Sequence, residues 1–393
     1  MSRAALRIFV HSASEYLTDH ASHGDGLICF SLLNGLAQRG HEVFAYAQGA
    51  AVDSCSERLH VSVGAARSPA GSLVAWEHAW RADRRLAELI REGTVDLVWR
   101  MHPYDQACPR PPCQRGRPLV LGPLFYSWPE SGPPPLRHRI GIGRVVRPLA
   151  RRGWQATLAQ TKLLLCATEP LARQMRELHP SARVLTLPVI VDAPEPALRQ
   201  RHTSPPGRDE LRLVFTGNLV PQKNPRVFCD LVARLRSVGW NVGAVIVGDG
   251  PQRRDVENSC GRLGIDRFVR FIGRVPNPEV YSIVAEAHLL VSTSLGEPYG
   301  RCIVEGMAVG TPAVCHASGG PRDLIADGVD GLLVDRLDAQ AYARRIIEFC
   351  EQGNWQHLSQ CAQTKAQAWS SQRVLDSLEC ALLGLVEGRS CTT

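Results

Sequence analysis

Short apolar runs rich in valine, isoleucine and leucine recur along the chain, and stretches of helical periodicity separate them. In the first half the runs are Leu6–His11, Glu42–Ala47, Asp96–Met101, Pro118–Leu121, Leu163–Ala167 and Arg183–Val191. In the second half they are Leu211–Thr216, Val242–Val247, Val269–Phe271, Leu289–Ser292, Thr311–Cys315 and Gly331–Val334. Most are short and continuously apolar, the pattern of strands buried on both faces. A helical repeat such as Ser31–Arg39, which ends at Gly40, fills the space between them. Alternation of this kind predicts an α/β protein with doubly wound parallel sheets.

The alternation breaks most clearly at Asp192–Asp209, where Pro194, Pro196, Pro205, Pro206 and Gly207 interrupt it. The simplest architecture is two Rossmann-like domains facing across a cleft. Residues 1–193 form the first and residues 194–209 a linker, followed by a second domain over 210–365. Residues 366–393 hold a terminal helix marked by Trp369, Val374, Leu378, Leu382, Leu383 and Val386.

Composition narrows the class. The 393 residues are 44% hydrophobic and 21% charged, as in an ordinary globular protein. No apolar run approaches the roughly 20 residues that span a bilayer. The N-terminus enters a strand-like run without a signal-peptide core, so a cytoplasmic protein is expected. The 13 cysteines are scattered. Cys108 and Cys113 are the nearest pair, and no Cys/His cluster has zinc spacing. The net charge of +7 permits anionic ligands. Part of it is local: Arg137, Arg139, Arg144, Arg147, Arg151 and Arg152 fall in one stretch without an acid, interleaved with apolar residues. Arg137–Arg152 reads as a solvated basic segment, part loop and part helix, or as a peripheral contact with the inner face of a membrane. Nucleic acid is not an expected partner, because no aromatic platform or recognition motif accompanies the charge.

The chemistry concentrates in Gly296–Ala308, which sets Glu297 and Glu305 across a loop-to-helix junction. Pro298 is expected as the first helical residue and Glu305 about two turns along. A helix start beside a glycine-rich loop suits an anion such as a pyrophosphate, and the two carboxylates suit sugar hydroxyls. A nucleotide sugar carries all of these groups. Against this, Glu305 can be read as an exposed helix charge.

The stretch resembles the Glu-x7-Glu motif of retaining GT-B glycosyltransferases of family 4. The run Gly310–Val314, Ser318–Gly320 and Asp327–Val334 follows in the order that family carries. The resemblance implies a nucleoside-diphosphate sugar as donor, and no cofactor or metal. The acceptor hydroxyl belongs to a saccharide, a lipid or a small natural product. Glu297 would bind the transferred sugar, with the backbone at Tyr299, Gly300 and Arg301 covering sugar and phosphate, and Glu305 would accept from the ribose.

Gly217-Asn218 and Lys223 match the loop whose arginine and lysine neutralise the diphosphate. Asn218 replaces the usual arginine, and Arg301 or Arg322 is a candidate substitute. A solvated loop lysine is the plain alternative for Lys223. Gly248 and Gly250 close the next strand, where glycine permits close approach of a ligand. Arg274 and Val275 match the segment facing the nucleobase. In the first domain Gly24 and Gly26 match the loop that approaches the phosphates; a plain helix start at Asp25 is the alternative. His102 stands in for a histidine many relatives carry after a middle strand, and can equally be structural. Phe125, Tyr126 and Trp128 suit an acceptor pocket or a core. In the family the terminal helix packs back on the first domain. Two further readings remain: an isomerase of the nucleotide-sugar 2-epimerase kind, and a non-catalytic protein that binds nucleotide sugar.

Overall fold

The computed structural model describes residues 5–14, 16–19, 24–64, 71–93, 95–101, 114–125, 143–191 and 205–388, with side chains outside 71–76 and 143–151. The chain divides into two compact units, Met1–Ile190 with Ser371–Thr393, and Val191–Ser370.

The first unit begins β1 (Arg7–Ser12), β2 (Tyr16–Thr18), α1 (Gly24–Gln38), β3 (Glu42–Ala47), β4 (Gly49–Ala51), β5 (Leu59–Val63) and α2 (Gly71–Arg91). It continues with β6 (Leu97–Arg100), β7 (Leu119–Leu124), α3 (Gly143–Gln160), β8 (Thr161–Cys166), α4 (Glu169–Leu178) and β9 (Arg183–Thr186). Seven strands form a parallel sheet in the order β5-β3-β1-β6-β7-β8-β9. The strands β6 and β7 are buried along their whole length, which is why they read as unbroken apolar runs.

Two expected strand ends move by three residues or more. The strand β7 runs on to Leu124 past a register shift at Gly122, a glycine in positive φ (+113°) pressed against the Leu165 backbone. The strand β9 stops at Thr186, short of Val191, whose N–H is taken by the Trp369 carbonyl at 3.0 Å. The small pair β2–β4 and the edge strand β5 were not signalled by the apolar pattern.

The second unit contains β10 (Leu211–Thr216), α5 (Pro225–Ser237), β11 (Val242–Val247), α6 (Arg253–Arg262), β12 (Val269–Gly273), α7 (Asn277–Ala285) and β13 (Leu289–Ser292). It ends with α8 (Arg301–Ala308), β14 (Ala313–His316), α9 (Gly320–Leu324), β15 (Leu332–Val334), α10 (Ala339–Gln352) and α11 (Trp355–Ala366). Its six parallel strands run β12-β11-β10-β13-β14-β15. Leu213, Phe215, Phe228, Ile246, Val291, Tyr342 and Trp355 build one core against this sheet. Buried polar ends are used: Trp355 Nε1 donates to the His288 carbonyl at 2.8 Å, and the Tyr342 hydroxyl to the Ser292 carbonyl at 2.7 Å. The second contact fixes the end of β13.

The stretch expected as a single terminal helix from Ala366 is broken. α11 ends at Ala366, a 3-10 turn spans Gln367–Trp369, and α12 runs over Ser371–Glu387. Extended backbone at Ser370 (ψ 144°) separates them. Residues up to Ser370 belong to the second unit and α12 to the first. There Leu375 packs against Gly35 of α1, where an added Cβ would stand 2.4 Å from a Leu375 methyl. Glu379, 2% exposed, meets Arg39 Nη1 at 2.9 Å and the His41 ring at 3.3 Å. Of the basic stretch, residues 137–142 lie outside the described residues and the rest open α3. No described helix is long and apolar enough to cross a membrane.

Candidate functional site

The strand order of the second sheet reverses at β10, with β11 on one side of it and β13 on the other. Loops leaving the carboxyl ends of such neighbours run in opposite directions and open a crevice for a ligand. The loop after β10 is Gly217–Asn224 and the loop after β13 is Thr293–Gly300. They are stitched together. Leu295 N donates to the Gln222 carbonyl at 2.8 Å, and Gln222 Nε2 to the Gly296 carbonyl at 3.1 Å. The Thr293 hydroxyl lies 3.0 Å from each of the Lys223 and Asn224 carbonyls, to which it donates. Asn224 adopts a left-handed backbone (φ 47°), which ends the 3-10 turn Pro221–Lys223 and starts α5.

This frame brings Lys223 to Glu297. Their Nζ and Oε2 are 2.5 Å apart, and the Ser294 hydroxyl donates to the same oxygen at 3.1 Å. The Glu297 side chain is 8% exposed and that of Lys223 26%, so Lys223 is an ion-paired side chain and not a solvated one. Gly320 N donates to the Glu297 carbonyl at 2.9 Å, and a Cβ at Gly319 would stand 2.7 Å from that oxygen. The glycine pair before α9 therefore presses directly on Glu297–Tyr299.

The helix α8 does not begin at Pro298. Gly300, at φ +105°, turns the chain and caps the helix, so Pro298 and Tyr299 remain in the loop. The cap shifts the register, and Glu305 becomes the fifth helical residue, in the second turn. It is 6% exposed, not a surface charge. Arg301 Nε donates to Glu305 Oε1 at 2.8 Å, an i,i+4 pair within α8. Cys302 lies beside both carboxylates. Removal from water pushes its thiol up to about 12, and the Glu297 charge adds to the rise.

The remaining expected residues fall into distinct places. Gly217 (φ +147°) opens the first loop with only the Lys223 side chain near its missing Cβ, and Asn218 beside it is exposed. Added Cβ atoms at Gly248 and Gly250 would meet the Gly217 and Leu219 backbones. Both glycines permit chain-on-chain packing here, and Gly248 N donates to the Gly273 carbonyl at 2.7 Å. Arg274 is exposed and Val275 half-buried, just past β12. Tyr299 is 4% exposed, and Arg322 is exposed on α9. Gly24 and Gly26 lie in the first turn of α1, in the other unit, with Asp25 inside the helix. His102, Tyr126 and Trp128 lie outside the described residues, and Phe125 packs partly buried against a core cluster.

Two partners were not read from the sequence. Ser294, in a Ser-Thr-Ser run, carried no signal of its contact with Glu297. Asn277, at the start of α7, reaches the Arg301–Glu305 pair from 24 and 28 positions away. Among the described residues no group of three or more His, Cys, Asp or Glu is placed to hold a metal ion.

Comparison with known proteins divides the chain as the strands do. The family described as "Glycosyl transferases group 1" matches residues 198–368, and "Glycosyltransferase Family 4" matches residues 26–193. The 2-deoxystreptamine N-acetyl-D-glucosaminyltransferase of Streptomyces fradiae is 32% identical over 213 residues, which cover 53% of this chain and 50% of that one. The chain spans between 34% and 58% of the length of the curated relatives it matches. Among solved structures, sucrose-phosphate synthase of Thermosynechococcus elongatus aligns with a TM-score of 0.74 at 16% identity, covering 98% of this chain and 100% of that one. Anabaena HepE, in complex with UDP, aligns at 0.65 and 19%, covering 96% and 99%. At these identities the structural likeness establishes the fold.

Proposed function

The chain belongs to the group 1, family 4 glycosyltransferases, with their GT-B fold, and we propose that it moves a sugar from a nucleoside-diphosphate sugar to an acceptor hydroxyl with retention of anomeric configuration. One observation carries this reading: Glu297 and Glu305 flank the start of α8 at the switch point, each with a cation in contact, Lys223 and Arg301. The diphosphate lies at the amino end of α8, where the dipole and free N–H groups favour an anion. Lys223 sits within reach of the bond that breaks and stabilises the charge growing on the leaving diphosphate. Glu297, relieved of part of its hold on Lys223, accepts from the sugar hydroxyls and fixes the ring. Glu305 accepts from the ribose. Retention follows a front-face course in which a leaving-group phosphate oxygen takes the acceptor proton, so the protein supplies orientation and charge. On this reading no cofactor takes part, because Lys223 supplies the cationic charge the leaving group needs.

The acceptor is a saccharide, a lipid or a small natural product, and the reaction is placed in the cytoplasm. The relative named for 2-deoxystreptamine puts aminocyclitols among the acceptors to try, and the Anabaena complex puts UDP-sugars first among donors. The test is incubation with a panel of nucleotide sugars, with and without acceptors, and assignment of product anomers by NMR. A new glycoside with the donor's configuration supports the proposal. An isomerised nucleotide sugar, or donor binding without turnover, overturns it.

A further inference from the structure

Arg301 stands out among the arginines near the carboxyl ends of β12, β13 and β14. Arg274 and Arg322 are exposed, whereas Arg301 has a side chain 16% exposed and is held on two sides. Its Nε donates to Glu305 Oε1 at 2.8 Å. With the Asn277 amide oriented so that oxygen faces donor, its oxygen accepts from Arg301 Nη2 at 3.2 Å and its nitrogen donates to Glu305 Oε1 at 3.1 Å. Glu305 Oε1 thus receives two protein donors. The third guanidinium nitrogen, Nη1, is buried and meets no acceptor among the described residues. A buried cationic N–H without an acceptor is costly, and an oxygen-bearing ligand relieves that cost. Arg301 is also the first residue of α8, where the helix end favours an anion, and the loop after β10 carries the uncharged Asn218.

Resting on the nucleoside-diphosphate reading above, we propose that Arg301 is a second phosphate-binding cation of this site, aimed by Asn277 and Glu305 so that Nη1 meets an oxygen of the donor diphosphate. Asn277 is then a positioning residue: it touches no substrate and locks the fork of the guanidinium. The arrangement supplies a cation braced within a helix beside a loop that carries the uncharged Asn218, so less side-chain freedom is lost on binding.

The test is calorimetry with whichever of UDP, GDP, ADP and dTDP binds the wild type most tightly, and with the corresponding nucleoside by competition. Arg301→Gln lowers diphosphate affinity about tenfold more than nucleoside affinity, and flattens the dependence of diphosphate affinity on salt. Asn277→Ala lowers diphosphate affinity by a smaller factor, with the salt dependence retained because the charge remains. Equal losses for diphosphate and nucleoside in Arg301→Gln overturn the proposal and leave Arg301 a brace for Glu305; so does no loss at all. If the wild type binds none of the four diphosphates, the donor-site reading itself falls, and this inference with it. Should Arg301→Gln fail to fold, Arg301→Gln/Glu305→Gln removes the two charges together. It is compared with Glu305→Gln alone, on the same diphosphate-against-nucleoside criterion.

Discussion

Lys223 Nζ and Glu297 Oε2 are in contact at 2.5 Å although 74 positions separate them in the chain. The pair joins the loops after β10 and β13, and both sides of it are needed by the proposed reaction. Removing Lys223 leaves a carboxylate that is 8% exposed with only Ser294 to hold it. Lys223→Ala is expected to cost about 1–3 kcal/mol in denaturant unfolding and to lower transfer about a hundredfold. Adding Glu297→Gln removes the stranded charge, so the double variant recovers stability but not activity. A double variant as unstable as the single one would show that the two side chains are not coupled.

How much of this was legible beforehand can be argued from particular residues. Every one of the twelve apolar runs became a strand, because two-face burial leaves an unmistakable run of Val, Ile and Leu. β5 was missed for the opposite reason: an edge strand, it mixes Leu59 with half-exposed or exposed His60, Ser62 and Val63. β2 and β4 are three residues each, too short to show a period. The motif around Glu297 was readable as a loop entering a helix, but its register was not. Pro298 and Gly300 both punctuate, and only the left-handed backbone at Gly300 decides where α8 starts. The partners of the two glutamates split by distance. Arg301 is local to Glu305 by helical spacing. Lys223, Ser294 and Asn277 reach their positions through folding of the sheet, which spacing cannot report.

The glycines after β10 and β11 give a stability test. Gly248 has φ +134° and faces the Gly217 backbone, so Gly248→Ala meets both a disfavoured backbone and a clash. About 1–3 kcal/mol of destabilisation is expected in chemical denaturation. Gly243, exposed within β11 itself, has nothing within 4 Å of its Cβ position. Gly243→Ala should stay within about 0.5 kcal/mol of wild type. Equal effects at the two positions would contradict the packing role assigned to Gly248.

The docking of α12 rests on a buried acid. Glu379 is in contact with Arg39 and His41, and Leu378 and Leu382 beside it are fully buried. Glu379→Ala takes an acceptor from the buried His41 ring, whose Nδ1 accepts from Leu6 N–H, and one of two carboxylates from Arg39, and is expected to cost about 1–3 kcal/mol. Asp376, whose side chain is 52% exposed, also meets Arg39 at 2.6 Å. Asp376→Ala should change stability by less than about 1 kcal/mol, as exposed pairs do. Thermal melts of the two variants side by side separate the buried contact from the exposed one.

Cys302 provides a pH test of the electrostatics at the start of α8. Its thiol is raised from 9.0 to about 12, first by removal from water and then by the Glu297 and Glu305 charges, with Lys223 opposing them. A raised thiol pKa means that the reactive thiolate is scarce: at pH 8 about one molecule in ten thousand carries it. Cys55 is exposed and serves as the internal reference. Treatment with iodoacetamide at pH 8, followed by peptide mass spectrometry, should modify Cys55 while Cys302 stays intact. Labelling of Cys302 should rise about tenfold for each pH unit up to pH 10 while the protein remains folded, because the thiolate fraction grows tenfold per unit below its pKa. Lys223→Ala removes the one nearby cation that lowers this pKa, so Cys302 should label more slowly still in that variant. Faster labelling there would mean that loss of Lys223 opens the site to solvent, and rapid labelling of the wild type at pH 8 would contradict the raised pKa of the thiol.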